Sequence, residues 1–78
     1  MKDVKVLGPG CPKCKELYET TKKVIEAEQL ECQLVKVTDI TEIVNYGIMI
    51  TPALVVDGEV KVSGKIPSNE EISAWLKG

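Results

Sequence analysis

The 78-residue chain contains no histidine, no arginine and no phenylalanine. Without histidine there can be no Cys-His nucleophile pair and no zinc site that uses an imidazole. Aromatic residues are limited to Tyr18, Tyr46 and Trp75, too few for a base-stacking platform. All ten basic side chains are lysines, set against 12 acidic ones for a net charge of −2. That balance is no electrostatic footprint for nucleic acid. No apolar run approaches the roughly 20 residues needed to span a bilayer. The opening stretch, MKDVKVLG, lacks a secretory apolar region. The expected address is therefore the cytoplasm, with neither membrane nor nucleic acid as partner. Cysteines are few and odd in number, three in all, so they cannot all pair within one chain. In a reducing compartment, closely spaced cysteines are more often catalytic or metal-binding than structural.

What is present fits one small domain, residues 1–78. The chain is 44% hydrophobic and 28% charged, enough for a modest core burying roughly 60% of the unfolded surface. The elements are short and alternate. DVKVL (3–7) reads as a strand, and Gly8, Pro9 and Gly10 punctuate it. A helix follows, with Cys11 near its N-cap and Pro12 at the first helical position, where a missing N–H costs nothing. Cys14, Leu17, Tyr18, Thr21, Val24 and Ile25 recur at helical spacing and form its buried face, while Lys15, Glu19, Lys22, Lys23 and Glu26 form a solvated one. CQLVKV (32–37) alternates as a second strand. Asp39 caps a short helix, ITEIVNY, that stops at Gly47. ALVVDGEVKVS (53–63) is a hairpin turning on Asp57-Gly58. Ser68 and Glu71 form a capping box for a last helix with Ile72, Trp75 and Leu76 as its apolar stripe and Lys77 at its negative end. The order β-α-β-α-β-β-α gives an α/β fold with strands 1 and 2 parallel and an antiparallel hairpin at the end. Strand 1 is then central, and Lys5 in its middle is expected to emerge at a sheet margin.

The chemistry concentrates in GPGCPKCKEL (8–17). Cys11 and Cys14 could hold a metal, staple the fold or exchange electrons. At i and i+3 in a helix's first turn they are neighbours on one face, about 5–6 Å apart, a separation that suits a disulfide. Cysteines so spaced beside a β-α-β pattern are a redox signature. The positive end of the helix favours an anion on Cys11, and Lys13 adds a nearby charge, so the Cys11 thiol is expected to ionise below the usual range. Cys14, deeper in the helix, is expected to stay protonated until it attacks. Cys32 reads as a small half-buried strand residue. Met49 and Trp75 read as packing residues, and Tyr18 as core.

A second motif lies far along the chain. NYGIMITPALVVDGE (45–59) resembles the thioredoxin-superfamily segment in which a glycine-ended helix leads through an apolar run to a cis-proline and a hairpin. Together with CPKC after the first strand, it covers nearly the whole chain, which resembles the small archaeal and bacterial thioredoxin/glutaredoxin-like redox proteins. That resemblance implies the thioredoxin fold, with a four-stranded mixed sheet between helices. It implies a cis Thr51-Pro52 bond beside Cys11 and a substrate groove shaped by Gly10, Thr51 and Pro52, with the Thr51 backbone pairing with an extended substrate. Gly8 to Gly10 would allow close approach. It further implies disulfide-containing protein substrates, a thioredoxin-reductase-type electron donor and no bound cofactor, since the Cys11–Cys14 disulfide carries the electrons. A monomer is expected. The chain departs from the family pattern at three places. Gly10 stands where tryptophan commonly precedes the first cysteine, Lys5 lies nearest the position of a buried aspartate, and the glutathione-binding pattern is only partly present in VSGKIPSNEE. Protein disulfide exchange is favoured over glutathione binding.

The rival reading is a copper or zinc carrier using the same pair. Ferredoxin-like copper chaperones also place Cys-x-x-Cys between a first strand and helix, but they end on a strand, whereas this chain ends on a capped helix. A zinc site needs four ligands, and one chain offers three thiols.

Overall fold

The computed structural model describes residues 2–10 and 12–77. Its elements run β1 (Lys2–Leu7), α1 (Pro12–Ala27), β2 (Cys32–Val37), α2 (Ile40–Asn45), β3 (Ala53–Val56), β4 (Glu59–Ser63) and α3 (Asn69–Lys77). The strands form one sheet in the order β2-β1-β3-β4. β1 is parallel to β2, with Val4 opposite Leu34, and antiparallel to β3, with Val6 opposite Leu54. This is the α/β thioredoxin-fold arrangement expected from the sequence.

Side chains alternate across a strand, so each strand feeds two cores. Val4 and Val6 of β1, Leu54 and Val56 of β3, and Val62 of β4 face α1 and α3, where Leu17, Val24, Ile72 and Leu76 complete the larger cluster. Leu7, Ala53 and Val55 point the other way, against Val37, Ile43 and Ile48 on the α2 side. Helices therefore lie on both faces of the sheet. Thr21 is fully buried on α1, and its hydroxyl donates to the Leu17 carbonyl at 2.8 Å, which satisfies the polar group within its own helix.

Local signals set the ends of the elements. The Asp39 carboxylate accepts the Thr41 N–H at 2.8 Å at the start of α2, and Gly47, at φ +78°, follows its end. Ser68 and Glu71 exchange side-chain-to-backbone bonds of 3.2 Å at the start of α3, as a capping box does. Lys77, in the last turn of α3, pairs with Glu28 just beyond α1. This partnership, with Lys77 foremost, holds the Glu28 carboxyl below its ordinary range. Asp57 and Gly58 both have positive φ, +51° and +82°, as a primed hairpin turn requires. α1 ends without a glycine. Gln29 takes φ +53°, and the Leu30 N–H reaches back to the Ile25 carbonyl at 3.0 Å.

Lys5 corrects one expectation. It lies in the central strand, opposite Val35 on β2 and Val55 on β3, and not at a sheet margin. Its ammonium crosses the α2 side of the sheet and donates to the Tyr46 hydroxyl at 2.8 Å, with Asp3 3.8 Å away. The Tyr46 bond is the main reason its pKa is raised. A six-residue α2 cannot roof this face completely, and the lysine stem uses the gap to reach solvent.

Candidate active site

Three chain segments meet at the C-terminal end of β1. The strand runs out at Leu7, and the Gly8 N–H extends the ladder by donating to the Val37 carbonyl at 2.9 Å. Gly8 is buried where α1 begins. A Cβ placed on it would overlap the Cys14 sulfur, lie 2.8 Å from the Cys14 Cβ and sit 3.9 Å from the Thr51 Cβ. Only a glycine lets the second cysteine of the motif close against this strand end, and the Thr51 side chain lies at ordinary contact distance beside it. Gly10, exposed at φ +99° with open space around it, is needed for its backbone conformation instead.

Cys14 is 5% exposed in the first turn of α1 and is disulfide-bonded, whereas Cys32 on β2 carries a free thiol. Burial pushes the Cys32 thiol pKa up, consistent with the half-buried strand residue expected. α1 starts at Pro12 with no acidic residue in its first turn. The positive end of the helix is thus supplemented by the exposed Lys13 and Lys15 and opposed by no carboxylate in that turn. Cys11 lies outside the described residues.

The Thr51-Pro52 peptide bond is cis. Pro52 is buried and Thr51 half-buried. The structure thus brings Cys14, Gly8 and Thr51 together, leaves Lys13 exposed at the helix start, and puts Gly10 on the open side of the loop.

The sequence did not reveal what adjoins this site. Pro9 and Thr51 help line an apolar groove of about 560 Å³, together with Ile40, Val44, Ile48 and Met49. Met49 is 96% exposed, Ile40 63% and Val44 61%. Met49 is therefore a surface residue lining the groove, which corrects its reading as packing. Trp75 does pack, against the α1/α3 cluster, as does Tyr18, with the Lys36 ammonium 5.0 Å from its ring centroid. The available signal was arithmetic: a helix as short as ITEIVN cannot bury Ile40, Ile43 and Val44 at once, and only Ile43 is buried.

Residues 2–77 match the family model described as Thioredoxin domain. The chain belongs to the thioredoxin family. It is 42% identical over 74 residues to a protein named Thioredoxin from Methanocaldococcus jannaschii, a match covering 95% of this chain and 85% of the relative. A second Thioredoxin, from Methanothermobacter thermautotrophicus, is 29% identical over 76 residues, covering 97% and 99%. Like the family membership, these matches run nearly end to end and take in both the CPKC segment and the cis-proline loop.

Proposed function

We propose that this chain is a small dithiol–disulfide oxidoreductase that exchanges disulfides of protein substrates through Cys11 and Cys14. The observation that carries the reading is Cys14: a buried, disulfide-bonded sulfur at the start of α1, packed on Gly8 beside the cis Thr51-Pro52 loop. Cys32 is a free thiol, and Cys11, three positions before Cys14 in the CPKC motif, is the partner this reading assigns.

The cycle starts from the reduced pair. Cys11 is the nucleophile, its thiolate favoured by the positive end of α1 and by Lys13. It attacks one sulfur of a substrate disulfide. A Cys11–substrate disulfide forms, and the other substrate sulfur leaves as a thiolate and takes up a proton. Cys14 then gives up its proton and attacks the Cys11 sulfur. The mixed disulfide breaks, the second substrate thiol is released, and the protein is left with a Cys11–Cys14 disulfide. Two electrons have passed to the substrate. Because Cys14 is held by the helix, the second attack is intramolecular and fast. No bound cofactor enters the cycle. A reductase-type donor or an external dithiol returns the pair to the reduced state.

The groove supports proteins as substrates. Its exposed Ile40, Val44 and Met49 give an apolar segment beside a target cystine something to cover. Gly10, Thr51 and Pro52 shape the approach, with the Thr51 backbone available to an extended chain. Among the described residues no helix is long and apolar enough to cross a membrane, and a reducing cytoplasm suits a dithiol working as a monomer in the reductive direction.

The test is reduction of insulin disulfides with a small dithiol as donor, together with a redox titration of the pair. Wild-type protein should accelerate insulin reduction, Cys11→Ser should abolish the acceleration, and Cys32→Ser should retain it. The midpoint should fall within the span of about −270 to −120 mV covered by related couples. Equal activity of wild type and Cys11→Ser would sink the proposal.

A further inference from the structure

The cis-proline loop is tied to the far end of the hairpin by two hydrogen bonds that bracket Thr51. The Ser63 hydroxyl, at the end of β4, donates to the Ile50 carbonyl at 2.8 Å. The Gly64 N–H donates to the Pro52 carbonyl at 2.8 Å. Gly64, at φ +85°, also lies close under the Ile50 side chain, where an added Cβ would come within 2.7 Å of Ile50 Cγ2. The carbonyls on either side of Thr51 are therefore both taken up inside the chain. Among the described residues, no hydrogen bond engages the Thr51 N–H or carbonyl.

The planarity of the peptide unit connects these facts. The Ile50 carbonyl and the Thr51 N–H belong to one rigid trans plane and point in opposite directions. Aiming the carbonyl at Ser63 therefore aims the Thr51 N–H away from β4. Among the described residues the Ser63 hydroxyl makes the one hydrogen bond to that plane, and the Ile50 residue is 64% exposed. Elsewhere on β4, the exposed Glu59 and the half-buried Lys61 pair with each other.

We infer that Ser63 is a positioning residue: its hydroxyl locks the Ile50–Thr51 peptide so that the unused Thr51 N–H can pair with an extended segment of a protein disulfide. This rests on the proposed function and adds to it a residue remote from both cysteines in sequence. Ser63 moves no electrons. It acts on protein substrates, which bring a backbone to pair, and not on small disulfides, which bring none.

Two near-isosteric variants separate the hydroxyl from the shape of the side chain. Ser63→Val and Ser63→Thr are both compatible with an exposed strand position, and only the second keeps the donor. Insulin and bis(2-hydroxyethyl) disulfide serve as the two substrates. Ser63→Val should raise the insulin KM about two- to twelvefold, the effect of one ordinary hydrogen bond. Its rate with the small disulfide and its redox midpoint should stay at the wild-type values, and Ser63→Thr should restore the insulin KM to within about twofold. An unchanged insulin KM in Ser63→Val, a parallel loss with both substrates, a shifted midpoint, or a Thr variant as impaired as the Val variant would each overturn the inference while leaving the proposed function standing. Failure of wild-type protein to reduce insulin would overturn both.

Discussion

On one face of the sheet, α1 and α3 bury a continuous cluster from Val4 through Leu76. On the other, α2 covers a smaller group around Leu7, Ile43 and Val55 and leaves Ile40, Val44 and Met49 in water. The chain is the same and the strands are shared, so the difference lies in the roofs. α1 has 16 residues and α3 nine, whereas α2 has six. The short roof opens next to Thr51 and Pro9, at the site. One face is built for stability. The other leaves apolar surface uncovered beside the site.

Substitutions can break that contrast. The largest stability effect belongs to the closed face. Leu17 and Leu54 are fully buried there, and truncating either to Ala should cost about 2–5 kcal/mol by denaturant titration. A loss below about 1 kcal/mol at both positions would mean that this face is not the stabilising one.

Gly8 sits where the two faces meet. Gly8→Ala drives a methyl into Cys14, and overpacking of this kind costs about 1–3 kcal/mol. The stability loss should come with impaired disulfide exchange, because Cys14 is the group displaced. Unaltered activity in a folded Gly8→Ala protein would show that Cys14 can move freely.

The open face should behave in the opposite way. Ile40→Ser and Val44→Ser remove exposed apolar surface, so stability should stay within about 0.5 kcal/mol of wild type. The insulin KM should rise, and the rate with a small disulfide should not change. If these variants unfold readily and keep their insulin KM, the groove belongs to the core and the contrast fails.

The smallest effect concerns the turn at the far end of the sheet from the site. The Asp57 carboxylate accepts the Asp3 N–H at 2.9 Å and lies 3.5 Å from the Lys2 ammonium. The Asp3 hydrogen bond, foremost, and Lys2 hold its pKa below the ordinary value. A carboxyl depressed in the folded state contributes stability above its unfolded pKa, about 3.9, and that contribution is lost as pH falls through the folded value. Stability should therefore decline on the acid side of about pH 4. Asp57→Asn should flatten that limb, as followed by denaturation midpoint against pH. Superimposable acid limbs for the two proteins would remove Asp57 from the account.

Much of this could be read from the chain because its signals are local. Gly-Pro-Gly after a strand, Pro12 at a helix start, the Ser68/Glu71 box and Asp57-Gly58 each act within four residues, and each lies where its chemistry requires. The cis-proline came from resemblance and not from physics, since proline permits both isomers. What escaped the reading depends on distant partners. Lys5 finds Tyr46 across 41 positions, and Ser63 finds Ile50 across 13. The ladder between β3 and β4 slips after Leu54, so that Val55 faces Val60 and Lys61 is skipped. That bulge has no signature in EVKVS. The open groove follows from how far α2 reaches, a question of area that periodicity alone does not answer.

The central claim is that Cys11 captures a substrate sulfur and Cys14 releases it. The most direct test is to incubate reduced Cys14→Ser protein with oxidised insulin and map the adducts by mass spectrometry under non-reducing conditions. The account predicts a persistent mixed disulfide on Cys11, absent when wild-type protein is treated in the same way. An adduct found only on Cys32, or none at all, would contradict it.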